Sequence, residues 1–131
     1  MGLDMYLLGE KFFWRDPVNP DSILREDGYD LRSKILRLGY WRKHPNLHGY
    51  IVNTFASGTD HCQPVELDAP AIGEIIDAVK TERLPHTTGF FFGESDGTEM
   101  EEDLRILSAA LDWLERKEPG VFRSVTYRAS W

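Results

Sequence analysis

The 131-residue chain carries 22 acidic against 15 basic residues, giving a net charge of −7 and a pI near 5.0. That balance excludes broad, sequence-independent binding to DNA or RNA, which depends on many Lys and Arg neutralising phosphates. The length fits a single domain over 1–131, and 41% apolar with 28% charged residues describes a folded chain rather than a disordered tail.

No window approaches the roughly 20 apolar residues that span a bilayer, and Asp4 interrupts the apolar start a secretory leader needs. The expectation is a cytoplasmic protein without a membrane partner. The lone Cys62 can form no internal disulfide and fits a reducing compartment.

Residues 1–9 alternate, with Leu3, Met5 and Leu7 on one side and Asp4 and Tyr6 on the other, as in a strand. Asp4 reads as a sheet-edge carboxylate facing solvent. From 10 to 33 the periodicity fails, and Asp16-Pro17, Asn19-Pro20 and Asp27-Gly28 are turn signals. This is an irregular surface excursion, with a short helix expected from Pro20-Asp21-Ser22 through Ile23 and Leu24. Phe12, Phe13 and Trp14 are too many aromatics to leave in water, so part of it should fold back as a cover.

A second strand over 34–42 sets Leu36, Leu38 and Tyr40 on one face and Arg37 and Trp41 on the other. Pro45 suits a helical first turn, and Leu47, Ile51 and Phe55 form the buried stripe of a helix ending near Ser57-Gly58. Val65-Glu66-Leu67 is a short strand. Asp68 N-caps a helix with Pro70 in its first turn and Ile72, Ile75, Ile76 and Val79 on one side.

T-T-G-F-F-F-G at 87–93 reads as a central strand buried on both faces. Thr98 with Glu101 forms a capping box for the longest helix, striped by Leu104, Leu107, Leu111 and Leu114. Glu99, Glu101, Glu102 and Asp103 at its start, with Arg116 and Lys117 at its end, complement the macrodipole. Val121, Val125, Tyr127 and Trp131 alternate with polar residues in a terminal strand. The predicted class is α+β: an antiparallel or mixed sheet of four to five strands, with about three helices packed mainly on one face.

Several stretches together resemble one family. They are the opening M-G-L-D-M-Y-L, the run Y-W-R-K with Asn46 and His48 after it, Asp60 and Cys62, the strand with G-F-F-F-G, Glu102-Asp103 and the closing Y-R-A-S-W. The chain resembles, from end to end, the small uncharacterised proteins beginning M-G-L-D-M-Y that are common in bacteriophages and prophages. The resemblance implies a small, cytoplasmic, phage-associated protein and brings no agreed activity. Some relatives carry a phosphoglycerate kinase label, which this chain does not support: it has no glycine-rich phosphate loop and is too short for two nucleotide-handling lobes.

Residues 40–50, Y-W-R-K-H-P-N-L-H-G-Y, concentrate the chemistry at a strand-to-helix handover. The leading expectation is a small pocket for an anionic or nucleotide-like ligand over 41–48. Arg42 and Lys43 would hold the charge beside a helix N-terminus, Trp41 would stack, and Asn46 and His48 would orient the ligand. The structural alternative pairs Arg42 and Lys43 with Glu99, Glu101 or Glu102 and puts the aromatics in the core.

A second expectation is a hydrolase or transferase, with His48 as general base, Asp60 orienting it, Cys62 as nucleophile and Arg42 stabilising charge. A divalent metal on His44, His48, Asp60, His61 and Cys62, or on the acidic run at 94–103, is the cofactor alternative. A non-catalytic protein that binds a host protein through the aromatics of the excursion is the third.

Overall fold

The computed structural model describes residues 2–14, 18–19, 23–89 and 92–131. Strand β1 (Asp4–Phe13) runs four residues beyond the expected end at Gly9, into the segment read as irregular. It lies between β4 (Ser33–Arg42) and β6 (Val121–Ser130), and β6 carries β5 (Val65–Leu67) on its other side. All pairings in this four-stranded sheet are antiparallel, in the order β4-β1-β6-β5. β2 (Arg25–Glu26) and β3 (Tyr29–Asp30) form a small hairpin, turned by Asp27-Gly28 as its sequence signals. Asp16-Pro17 and Pro20-Asp21-Ser22 lie outside the described residues, and Ile23 and Leu24 are not helical.

Three helices follow: α1 (Pro45–Phe55), α2 (Ala69–Lys80) and α3 (Met100–Glu115). The expectation of an α+β fold, with an antiparallel or mixed sheet of four to five strands and about three helices, is met by the antiparallel alternative. Met5, Leu7, Trp41, Val65, Leu67, Val125, Tyr127 and Ala129 are buried on one sheet face, with Leu3 just before β1 beside them. They join Leu47 and Ile51 of α1, Ile72 and Ile75 of α2, and Ile106, Leu107 and Trp113 of α3 in one core. The opposite face presents Asp4, Tyr6, Glu10 and Tyr40, all partly exposed.

Three expectations are corrected. Thr87, Thr88, Gly89, Phe92 and Gly93 form no strand, and Phe90 and Phe91 lie outside the described residues; the central strands are β1 and β6. Phe92, the one described phenylalanine of that run, is buried against His48 and Trp131, so its apolar side chain packs over α1. In β4 the register shifts opposite Leu7 and Leu8, and this bulge reverses the alternation. Leu38 stays with the core, but Trp41 takes the helix-covered face and Tyr40 the open one. Of the aromatics expected to fold back as a cover, Phe13 is partly buried, whereas Phe12 and Trp14 remain 40% and 65% exposed and Phe122 beside Phe12 is 65% exposed.

The capping box also fails. Helix α3 has Glu99 at its N-cap position with no side-chain cap, because the Glu99 carboxylate instead accepts the amides of Asp96 and Gly97. Thr98 donates its hydroxyl to Asp96, at 2.6 Å.

Candidate functional site

The site forms where β4 ends. Lys43, with φ +54, turns the chain out of the strand while its amide still bonds Leu3, and His44 then occupies the N-cap position of α1. The loop after Phe92 crosses this corner at Gly93, where φ is +75 and an added Cβ would lie 2.9 Å from the Lys43 Cβ. Glycine is required for that approach. It brings Ser95 over His44.

The Ser95 hydroxyl donates to His44 Nδ1 at 2.6 Å, and His44 Nε2–H donates to Asp103 Oδ2 at 2.7 Å. The other oxygen of Asp103 accepts the Trp41 indole N–H at 2.8 Å. The backbone N–H of Asn46, in the first turn of α1, donates to Ser95 Oγ at 3.1 Å. Asp103 is 1% exposed and His44 3%, whereas Ser95 is partly exposed and opens to a cavity of about 160 Å³. Ser95, His44 and Asp103 thus form a hydrogen-bonded serine, histidine and carboxylate series. Its ring is turned so that Nδ1, rather than Nε2, faces the serine.

His48, one helical turn on, belongs to a separate network. Its Nε2 lies 3.0 and 3.1 Å from the two Asp60 carboxylate oxygens, and its Nδ1 accepts the Tyr127 hydroxyl at 2.6 Å. Asp60 therefore does stand against His48. Both ring nitrogens are occupied, and the ring is 2% exposed beneath Phe92, Tyr127 and Trp131. Burial, helped by the Asp60 charge, pushes the Tyr127 phenol far above its usual range. Cys62, partly exposed with φ +58, makes no hydrogen bond among the described residues, and neither His48 nitrogen faces it.

The other expected residues disperse. Arg42 points to the open sheet face, where its guanidinium donates to Asp4 at 2.8 Å beside the Tyr40 hydroxyl at 2.5 Å. The Tyr40 hydrogen bond and then the Arg42 charge hold the Asp4 carboxyl below its ordinary value. Asp4 is thus partnered on a central strand rather than free at a sheet edge. Trp41 is 5% exposed with its N–H committed to Asp103, so its ring offers no stacking platform. The Asn46 side-chain carbonyl accepts the Thr87 amide at 3.0 Å. Lys43 remains exposed. Neither it nor Arg42 is among the described residues lining the cavity, where Glu82 and Glu99 supply the charge instead.

His44 and His48 serve different carboxylates, and among the described residues no three His, Cys, Asp or Glu converge to hold a metal ion. Asp96 and Glu99 of the acidic run bond the amides and hydroxyl of their own loop.

Sequence reasoning missed Ser95 and Asp103. Asp103 left a trace: it precedes Ile106, Leu107 and Ala110 at helical steps of three, four and seven, so it is a charge on the buried stripe. Ser95, in an E-S-D-G turn, left none. No helix among the described residues is long and apolar enough to cross a membrane. The chain matches no protein-family model, no curated protein and no solved structure.

Proposed function

We propose that this protein is a hydrolase or acyl transferase in which Ser95 is the nucleophile, His44 the general base and Asp103 the residue that orients His44. The observation that carries the reading is the unbroken path from Ser95 Oγ through the His44 ring to a carboxylate buried with two donors, beside a cavity. A serine hydroxyl is a poor nucleophile until an adjacent base takes its proton.

In the first step Ser95 Oγ attacks an acyl carbon as its proton passes to His44 Nδ1. The imidazolium so formed is stabilised by Asp103 across the Nε2–H bond. The proton then goes from Nδ1 to the leaving group, and water or another acceptor repeats the sequence to release the acyl group. The Asn46 amide, at the positive end of α1, donates to Ser95 Oγ itself and favours negative charge on that oxygen as its proton leaves. This keeps the hydrolase-or-transferase expectation and moves it from His48, Asp60 and Cys62 to a different set of residues.

The test is reaction with a fluorophosphonate, read by intact mass, alongside turnover of p-nitrophenyl acetate. The expected outcome is a single adduct that maps to Ser95, is absent in Ser95→Ala, and accompanies a fall in kcat of about a million-fold in that variant. No adduct, with equal turnover by Ser95→Ala, would make the series a strut that caps α1.

A second reading, the interaction protein, keeps one observation in its favour, the exposed Phe12, Trp14 and Phe122. A partner complex that is lost in Trp14→Ser with Phe122→Ser, but retained in Ser95→Ala, would support it.

A further inference from the structure

The cavity beside Ser95 is lined by both apolar side chains and carboxylates. Val79, Leu84 and Met100 supply the apolar surface, and Glu82 and Glu99 the carboxylates. The two carboxylates differ. Glu99 already accepts two loop amides, at 3.1 and 2.9 Å, whereas Glu82 makes no side-chain hydrogen bond or ion pair among the described residues. Its backbone is fixed, because its amide bonds the Val79 carbonyl just past the end of α2. The carbonyl end of the α2 macrodipole adds negative potential at that point. No Lys or Arg lines the cavity among the described residues, and Arg83 nearby is engaged with Asp77 at 2.5 Å.

We infer that the Ser95 site takes acyl compounds bearing a compact cationic group, with Glu82 as the specificity-determining residue. The inference rests on the serine hydrolase reading and adds the substrate class to it. A space of about 160 Å³ holds roughly one benzene-sized group, so the cation is small, such as an alkylammonium. Its carbon substituents lie against Val79, Leu84 and Met100 while its charge faces Glu82. The acyl carbon is then left at the part of the cavity lined by Ser95 and His44. An anionic substrate meets Glu82, Glu99 and Asp103 without a compensating cation.

The test uses two thioesters of one shape, 2-(trimethylammonio)ethyl thioacetate and its uncharged isostere 3,3-dimethylbutyl thioacetate. The expected result is a kcat/KM ratio favouring the cationic ester by about tenfold. That ratio falls roughly threefold to tenfold in Glu82→Gln and inverts in Glu82→Lys, with the effect in KM rather than kcat and shrinking as salt is raised. Ser95-dependent turnover of both esters at equal rates, or a ratio that ignores both Glu82 substitutions, overturns the cationic class and leaves the nucleophile standing. Turnover of neither ester, together with an unlabelled Ser95, overturns the hydrolase reading and this inference with it.

Discussion

Asp103 holds two donors at once, and replacing it by asparagine separates its electrostatic role from its packing. The amide has nearly the same shape. Its oxygen can still accept the Trp41 indole N–H, which leaves its NH2 group facing His44 Nε2. That group donates, so Nε2 must become the acceptor and the proton moves to Nδ1, the nitrogen that must accept from Ser95. Asp103→Asn is therefore expected to fold while losing Ser95-dependent turnover by about ten-thousand-fold, the scale of a wrong-tautomer triad. Nitrogen-15 shifts of the His44 ring check the cause: the protonated nitrogen should switch from Nε2 to Nδ1. An unchanged tautomer with lost activity would point to displaced packing instead. Asp103→Ala is a poorer probe, because it leaves two buried donors unpaired at about 1–3 kcal/mol each.

At the scale of elements, α1, α2 and β5 were legible because each carries its own punctuation. Pro45 and the Asp68-x-Pro70 pair mark helix starts, and the Asp68 carboxylate does accept the Ala71 amide, at 2.9 Å. What was not legible depends on partners far along the chain. Three consecutive phenylalanines have the composition of a buried strand, yet the described residues Gly89, Phe92 and Gly93 form none, and periodicity cannot separate a strand from an apolar loop. The face taken by Trp41 is fixed by the bulge against Leu7 and Leu8; Gly39 in the sequence allows a bend there but does not say which side chains it turns over.

Gly39, just after that bulge, lets β4 lie close against α3, because an added Cβ would fall onto the Ile106 Cγ2 methyl. Ile106 is β-branched and 4% exposed, so it cannot swing aside. Gly39→Ala is expected to cost about 1–3 kcal/mol in denaturant unfolding, as overpacking does. Combined with Ile106→Ala it should cost less than the sum of the two single changes. Strict additivity would show that the strand and helix do not meet there.

Across the whole molecule, α1 is anchored through two histidines that reach different parts of the fold. His44 bonds α3 and the loop before it, and His48 bonds β6 and the loop carrying Asp60. The second anchor makes global stability depend on alkaline pH through Tyr127, whose phenol is held above the ordinary tyrosine range by burial and then by the Asp60 charge. Below about pH 10 the phenol is neutral in both the folded and the unfolded chain, so its contribution is fully present. As pH rises above 10 the unfolded chain releases this proton while the folded one keeps it. Unfolding is then favoured by about 1.4 kcal/mol per pH unit until the folded phenol itself titrates. Tyr127→Phe removes that dependence but strips His48 Nδ1 of its donor, costing about 1–3 kcal/mol at neutral pH. Urea unfolding from pH 8 to 11.5 should therefore give two curves that converge as pH rises, wild type starting higher and falling more steeply by one proton. Tyr40, whose phenol is raised by its hydrogen bond to Asp4, is common to both proteins and cancels from the difference. Curves that stay parallel across the range would mean that the Tyr127 phenol ionises in the folded protein as readily as in the unfolded chain, and that the His48 anchor is open to solvent.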